Sequence, residues 1–270
     1  MKTRVISAVV GLALLGAVLL LFETAVLDIA VAVLSVMAVY EMINAAGLSE
    51  NKIFAAACAG FAAFFSTAHY QTLASISGFV EFGFAVVVLL FVMNNHEKIK
   101  ITDAAYAFLF TLVIPKAFST ILLFRNYGEP VSYFLVLMGL AVAWLNDTCA
   151  YFSGYFFGKR KLCPEISPKK TVEGAIGGVF GSVILCSLLA FIFSVATNYV
   201  INWVSFVIFL PVGAVLAIFG DLCASAIKRQ FGIKDYGSIM PGHGGVMDRF
   251  DSWLFVAPAL YIWNIYYPFI

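Results

Sequence analysis

Charged residues are scarce in this sequence: of 270 residues only 11% are Asp, Glu, Lys or Arg, whereas 63% are hydrophobic. A soluble domain is about 25% charged and roughly half apolar. The scarcity of charge therefore excludes an ordinary soluble globular protein. No segment is both long enough and polar enough to form a separate soluble domain.

Closely spaced cysteines are also missing, since the five cysteines are scattered and form no Cys-x-x-Cys pair. Zinc sites, redox motifs and disulfide frameworks all depend on such spacing. We interpret the cysteines as small apolar residues inside helices.

Long apolar runs occupy most of the chain. A helix that crosses a bilayer needs about 20 apolar residues, so the runs predict an all-α, polytopic integral membrane protein with about nine transmembrane helices. The predicted spans are 5–22, 25–46, 53–69, 72–93, 104–124, 131–157, 174–196, 200–220 and 252–268. The first run resembles a signal peptide, but it is long and lacks a cleavage site, which favours a transmembrane helix. Acidic residues such as Glu41 and Glu81 are interpreted as lying near span ends.

The basic residues are distributed asymmetrically. Fourteen of the sixteen Lys and Arg fall in the alternate segments 1–4, 47–52, 94–103, 158–173 and 221–251. The positive-inside rule therefore predicts a cytoplasmic N-terminus, an odd number of spans and an external C-terminus. We expect the protein in the cytoplasmic membrane, with its chemistry on the cytoplasmic side.

Two of these segments differ from the short connectors. Residues 158–173 carry five Lys or Arg, and residues 221–251 form a long polar interruption rich in Gly, Asp and Lys. The sequence thus predicts an N-terminal region of about five spans, 1–130, and a C-terminal catalytic region, 131–270, which contains both polar segments.

The segment 221–251 holds the densest set of reactive residue types. If the helix of the eighth span continues beyond the membrane, Asp221, Ser225 and Lys228 share one face. The glycine-rich stretch 241–245 cannot be a regular helix, and it lets backbone N–H groups approach an anion. Asp248 and Asp251 would then lie on the first turn of the ninth span.

Carboxylates beside several cations at a membrane surface suit a metal-bound polyphosphate. Mg²⁺ takes a few carboxylate oxygens and phosphate oxygens, while Lys and Arg neutralise the remaining charge. We predict a Mg²⁺ site at Asp221 and Asp248 with Asp147 and Asp251 close by, and a second cation is left open. A solvated loop that touches anionic lipid is the alternative interpretation.

Asn146 and Asp147 form a polar pair inside the apolar span 131–157. A carboxylate there costs about 2.5–3.5 kcal/mol on insertion scales, which indicates a functional position. Tyr151 follows at helical spacing on the same stripe. The alternative is a helix-packing stripe with one buried polar position. The glycine run 174–181 is interpreted as tight helix packing or oligomerisation, not ligand contact.

Ser167, Lys169, Lys170 and Thr171 connect that span to the next. Two lysines after a turn, followed by a helix-capping Thr and a Glu, suit a phosphate clamp. Lysines that act only as topology signals are the alternative.

The run from Ser225 to Asp251 resembles the signature of the phosphatidate cytidylyltransferases, the CDP-diacylglycerol synthases. The pattern is Ser, two residues, Lys-Arg, four residues, Lys-Asp, then Pro-x-His-Gly-Gly, two residues and Asp-Arg-x-Asp. The matching residues are Ser225, Lys228, Arg229, Lys234, Asp235, Pro241, His243, Gly244, Gly245, Asp248, Arg249 and Asp251. The stretches 147–154 and 167–171 also resemble elements of this family, so recognisable motifs cover roughly 140–255.

The resemblance implies that CTP and phosphatidic acid react to CDP-diacylglycerol and pyrophosphate with Mg²⁺. Together the residues and the resemblance assign catalytic roles to Asp221, Asp248, Lys170, His243 and Arg249. They assign substrate binding to Asn146, Tyr151, Ser167, Lys169, Thr171, Ser225, Lys228, Arg229, Lys234, Gly244 and Gly245. For His243 we favour a hydrogen bond to phosphate over general-base catalysis, because a phosphate monoester is largely ionised at neutral pH. The expected partners are CTP, phosphatidic acid and membrane lipid, without nucleic acid, and a homodimer is left open.

Two alternatives of other classes remain. A CTP-dependent lipid kinase would use similar nucleotide-binding groups with a polyprenol or phytol acceptor. An anion transporter would line its path with Asp147 and the glycines, but transporters often have paired halves and no repeat is visible in this sequence.

Overall fold

The computed structural model describes residues 11, 13, 15–68, 71–239 and 244–270. Apart from one two-stranded antiparallel hairpin, the regular structure of these residues is helical. The helices are α1 (Ala25–Ala45), α2 (Lys52–Thr67), α3 (Gln71–Asn94), α4 (Ile101–Leu123), α5 (Val131–Phe157), α6 (Val172–Thr197), α7 (Trp203–Gln230), α8 (Met247–Phe250) and α9 (Trp253–Tyr266), and the strands are β1 (Lys161–Cys163) and β2 (Ser167–Thr171).

Six of these helices, α1 and α3 to α7, are long and apolar enough to cross a membrane, and α2 and α9 are apolar but shorter. The prediction of an all-α polytopic membrane protein is therefore confirmed. Eight of the nine predicted spans overlap one of these helices. Of the first, 5–22, only residues 11, 13 and 15–22 are described, and residues 11, 13 and 15–20 are helical. The count of nine and the cytoplasmic N-terminus stay predictions.

The chain divides into two compact units, and each is built from two separate stretches of sequence. The first comprises Met1–Leu122 and Phe231–Arg249, and the second comprises Leu123–Gln230 and Phe250–Ile270. The sequence analysis divided the chain once, at residue 130, into two continuous regions. Most of the signature segment thus belongs to the same unit as the N-terminal helices.

Aromatic stacking and one ion pair connect the helices of the first unit. Phe54 of α2 stacks on Phe91 of α3, with ring centroids 3.8 Å apart. Lys116 of α4 forms an ion pair with Glu81 of α3. Glu81 lies near the middle of α3, so the prediction that it is near a span end is wrong. The lysine on the neighbouring helix compensates its charge within an apolar segment.

The second unit is organised around close contact between α5 and α6. A Cβ atom at Gly178 of α6 would lie 3.0 Å from the backbone oxygen of Asn146 in α5. At Gly174 it would lie 2.8 Å from the backbone oxygen of Ala150. Small residues let two helices approach this closely. The glycine run therefore packs helices within the unit, in agreement with the packing interpretation.

Candidate functional site

A cavity of about 440 Å³ lies within the second unit, lined by α5, the hairpin, α6 and α7. Pockets for small molecules commonly measure about 300–1,000 Å³. Its lining residues are Asp147, Ala150, Tyr151, Gly154, Tyr155, Leu162, Lys169, Lys170, Thr171, Gly174, Ala175, Ile218 and Asp221. Six of the residues that the sequence assigned to the site meet here, namely Asp147, Tyr151, Lys169, Lys170, Thr171 and Asp221.

An ion pair between Lys170 of β2 and Asp221 of α7 lies in this cavity. Each side chain is about a quarter exposed, and the Nζ atom of Lys170 is itself buried. A buried ammonium group requires a compensating anion, because removing one partner leaves an unpaired buried charge. A phosphate that enters the cavity would therefore meet a cation already held in place.

The hairpin holds the lysines of β2 in the cavity wall. Lys161 pairs with Thr171, and Cys163 pairs with Ser167, with a register irregularity between the two pairs. The sequence predicted a polar cytoplasmic loop at 158–173 without strands. The two strands are only three and five residues long, so they carry no alternating pattern that a sequence reading could detect.

Two side chains at the start of α6 accept hydrogen bonds from backbone N–H groups, one within the helix and one before the hairpin. Together they fix the hairpin against the helix. The side chain of Thr171 accepts a hydrogen bond from the backbone N–H of Gly174 at 3.1 Å. The carboxylate of Glu173 accepts hydrogen bonds from the backbone N–H groups of Lys159 and Arg160, at 2.9 and 3.1 Å. The prediction that Thr171 caps the helix is confirmed, whereas Glu173 bonds to the chain that enters the hairpin.

Helix α7 continues to Gln230, well past the predicted span, so the expected shared face exists. The Ser225 hydroxyl donates to Oδ1 of Asp221 at 3.4 Å. At the helix end, Nε of Arg229 donates to the backbone oxygen of Ile166 at 3.3 Å. Arg229 thereby ties α7 to the turn of the hairpin.

A third carboxylate, Asp251, is buried near this group. The pKa of Asp251 is raised to about 7, mainly by burial and in addition by the charges of Asp221 and Asp147, while the Ser252 backbone N–H and the charge of Lys228 oppose the shift. Asp251 therefore senses the charges of two other aspartates of the second unit, Asp221 and Asp147. A cation among them would relieve this repulsion.

The carboxylates of Asp147, Asp221 and Asp251 are suitable ligands for Mg²⁺, although they do not form a complete coordination shell. Among the residues that the structure describes, no three His, Cys, Asp or Glu side chains are arranged to hold a metal ion alone. Mg²⁺ in phosphoryl-transfer sites usually takes one or two carboxylates and completes its octahedron with phosphate and water. The aspartates suit a metal that arrives with its substrate.

Residues 231–249 of the signature belong to the first unit, and we call them the signature loop. Their described part folds around Asp248. Its Oδ2 atom accepts hydrogen bonds from the backbone N–H groups of Tyr236 at 2.8 Å and Gly245 at 3.0 Å. Gly244 has a φ of +86°, which a residue with a side chain adopts only under strain. The Gly245 N–H, predicted to face a phosphate, is used inside the loop. The predicted catalytic His243 lies outside the described residues.

The helix is interrupted between α8 and α9, within the end of the signature. Lys234 and Arg249 are exposed residues of the first unit. Helix α8 ends at Phe250, so Asp248 and Asp251 do not share a helical turn, contrary to the prediction. The cause is local, because Oδ1 of Asp251 accepts the N–H of the next residue, Ser252, at 2.7 Å.

Asn146 and Ser167 are among the predicted substrate-binding residues that do not line the cavity. Asn146 is fully buried where α5 meets α6, and neither polar atom of its amide has a hydrogen-bond partner among the described residues. Ser167 starts β2 and is half-buried. Direct contact of either residue with a substrate stays a prediction.

Two further residues, Tyr155 and Glu41, were not predicted from the sequence. Tyr155 lines the cavity and stacks near Tyr151, with ring centroids 6.5 Å apart. Glu41 of α1 is buried, and its carboxylate accepts hydrogen bonds from the backbone N–H groups of Val246 and Met247. The available signals were helical spacing for Tyr155 and, for Glu41, a carboxylate inside an apolar span.

Known proteins resemble this chain over most of its length. The model of the cytidylyltransferase family matches residues 2–267. A phosphatidate cytidylyltransferase of Staphylococcus aureus (strain COL) is 40% identical over 179 residues, which is 65% of each chain. Its counterpart in Thermotoga maritima is 37% identical over 186 residues, 66% of each chain. That of Bacillus subtilis (strain 168) is 38% identical over 180 residues, 66% of this chain and 65% of the relative. The matched part thus spans just under two thirds of each relative's length.

Proposed function

Because this chain belongs to the cytidylyltransferase family, we propose that it is a phosphatidate cytidylyltransferase. It would transfer the cytidylyl group of CTP to phosphatidic acid and release pyrophosphate. The observation that carries the proposal is the cavity in which Lys170 and Asp221 meet, within a protein whose helices are long enough to cross a membrane.

The reaction requires electrostatic stabilisation of its anionic groups more than it requires a strong general base. An oxygen of the phosphatidate phosphate attacks the α-phosphorus of CTP and forms a new P–O bond. The bond from this phosphorus to the oxygen that bridges to the β-phosphate breaks, and pyrophosphate leaves with the electron pair. The second pKa of a phosphate monoester is about 6, so the nucleophile is already largely ionised at neutral pH. The barrier lies in bringing anions together and stabilising the leaving group.

Lys170 and Asp221 supply this electrostatic stabilisation. Their ion pair separates when the substrate binds. The buried ammonium of Lys170 binds a CTP phosphate, which replaces its contact with Asp221. The carboxylate of Asp221 then becomes available to a cation. Lys169 lines the same cavity and adds a second positive charge toward the phosphates.

One or two of the second unit's aspartates, Asp147, Asp221 and Asp251, would hold Mg²⁺ together with phosphate and water. Asp248, which belongs to the first unit, stays a predicted ligand from the signature. When bound, the ion supplies positive charge to the polyphosphate and to the leaving pyrophosphate. Besides burial, the charges of Asp221 and Asp147 raise the pKa of Asp251, and a cation near them would offset this repulsion.

The site belongs on the cytoplasmic side of the membrane in this proposal. All four charged residues that line the cavity lie on the hairpin or on α5 and α7. The hairpin falls in a segment predicted to be cytoplasmic. CTP would approach from water, while the acyl chains of phosphatidate stay in lipid.

Position-specific labelling of CTP tests the proposal. The purified protein in detergent is given phosphatidic acid, Mg²⁺ and CTP labelled on either the α- or the γ-phosphate. We expect α-label in the lipid phase and γ-label only in pyrophosphate. Label from the γ-phosphate in lipid, with a polyprenol or phytol acceptor, would indicate a lipid kinase instead. A protein that labels no lipid but moves an anion into vesicles would be a transporter.

A further inference from the structure

A carboxylate from α1 lies at the base of the signature loop. Glu41 is only 3% exposed, and its two oxygens accept hydrogen bonds from the backbone N–H groups of Val246 and Met247, each at 2.9 Å. These partners lie 205 and 206 residues along the chain from Glu41. All three residues belong to the first unit.

Two glycines of the loop make this approach possible. A Cβ atom on Gly237 would lie 2.5 Å from an oxygen of Glu41, and one on Gly245 would lie 2.5 Å from its carboxyl carbon. Real Cβ atoms essentially never come so close to another heavy atom. Both glycines therefore leave room for the Glu41 carboxylate.

The bonded N–H groups begin the turn that carries predicted catalytic residues. Helix α8 consists of Met247–Phe250 and includes Asp248 and Arg249. The first N–H groups of a helical turn have no partner within the turn, so they need acceptors from elsewhere. Glu41 supplies the acceptors on one side, while Asp248 holds the backbone of Tyr236 and Gly245 on the other.

We propose that Glu41 is a positioning residue that anchors the signature loop and thereby sets the place of Asp248 and Arg249 for the reaction. It touches neither of the reacting groups and acts through the backbone of residues 245–247. The catalytic consequence rests on the proposed function, whereas the anchor itself does not.

The order of activity among three variants separates a carboxylate anchor from simple filling of space. Glu41→Gln keeps the shape but replaces one acceptor oxygen with an NH₂ donor, which would face a backbone N–H. Glu41→Asp keeps both acceptors on a shorter side chain. We expect the Asp variant to retain more activity than the Gln variant, and Glu50→Gln, an exposed glutamate of the same unit, to match the wild type.

The Gln variant should lose turnover without losing nucleotide affinity. Hydrogen bonds to a charged group contribute about 1.5–3 kcal/mol, so we expect kcat to fall by about 10-fold or more with KM for CTP within about threefold. Hydrogen exchange of a peptide covering 244–250, measured without substrate, should accelerate by a similar factor in Glu41→Gln and stay at the wild-type rate in Glu50→Gln.

Glycine variants provide a second route to the same loop. Gly245→Ala, which would push a methyl group into the Glu41 carboxylate, should give the same fast exchange in 244–250. Gly83→Ala, where an added methyl group would meet nothing within 4 Å, should not. These full-length proteins leave Glu41 itself in place.

The outcomes are distinguishable from a failure of the proposed function. If the wild type does not transfer the cytidylyl group, the proposed function fails, while the exchange measurement still decides whether Glu41 anchors the loop. If the Gln variant outperforms the Asp variant, or keeps wild-type exchange and kcat, the anchoring role is wrong and Glu41 only fills space.

Discussion

At the scale of single residues, the chemistry of the cavity depends on opposite charges that are already in contact. Lys170 and Asp221 neutralise each other where neither is fully hydrated. Removing one of them changes the charge that the other presents to a substrate. Their replacement should therefore affect turnover far more than replacement of similar residues elsewhere.

We expect Asp221→Asn to reduce kcat by about 100-fold or more at every Mg²⁺ concentration, because a neutral amide cannot stabilise a cation beside the polyphosphate. Cytidylyl transfer across a Mg²⁺ titration measures the effect. Asp103→Asn, in the first turn of α4, is the control and should stay near wild type. Near-normal activity of the Asp221 variant would remove Asp221 from the metal site.

We expect Lys170→Ala to raise KM for CTP or lower kcat by about 10-fold to 1,000-fold, because a buried ammonium that meets phosphate is lost. Initial rates at varied CTP and varied phosphatidate locate the loss. Lys98→Ala removes an exposed lysine of a connecting turn and should do neither. Equal losses in both variants would mean that general surface charge matters and the cavity does not.

Much of the site was predictable at this scale, and the exceptions share one physical reason. Asp147, Lys170 and Asp221 were recognisable because charge is costly in an apolar chain, and they do meet in one cavity. The partner of Glu41 was not recognisable, since its hydrogen bonds join residues more than 200 positions apart. The hydrogen bond from the backbone N–H of Tyr236 to Asp248 likewise joins residues that are not close in sequence.

At the scale of secondary structure, the long helices were predictable and the short elements were not. A run of about 20 apolar residues specifies a membrane helix with little ambiguity. The hairpin at 161–171 and the break between α8 and α9 depend on a few hydrogen bonds, such as the one from Ser252 to Ala217 at 3.0 Å. Such contacts form only once the helices have packed.

We expect Gly178→Ala to lower the melting temperature in detergent, although alanine favours helix by about 1 kcal/mol over glycine. The added methyl group would lie 2.9 Å from Oδ1 of Asn146, and overpacking of this kind costs about 1–3 kcal/mol. Gly83→Ala has open space at its Cβ position and should leave the melting temperature equal or higher. Equal stabilisation of both variants would show that α5 and α6 tolerate a wider separation.

At the scale of the whole molecule, the distribution of charge specifies an orientation that can be measured. We expect alkaline phosphatase fused after Asn198 to be active and the same enzyme fused after Lys234 to be inactive, because folding of this reporter requires export from the cytoplasm. Green fluorescent protein at the same two positions should give the opposite pattern. The reversed result would place the basic segments outside and contradict the positive-inside assignment.

The length of α7 bears on which concentration of the proposed lipid substrate sets the rate of the reaction. Asp221 lies about 27 Å along the helix axis from Trp203, close to the thickness of the hydrocarbon core of a bilayer, about 30 Å. Under the proposed function this length would place the carboxylate at the depth of lipid headgroups, where phosphatidate would arrive by diffusing sideways in the membrane. The rate of such an encounter would depend on the surface concentration of phosphatidate in the membrane or micelle and not on its bulk concentration. Diluting phosphatidate with inert detergent at constant bulk concentration should therefore slow the reaction, whereas CTP should follow ordinary saturation in solution.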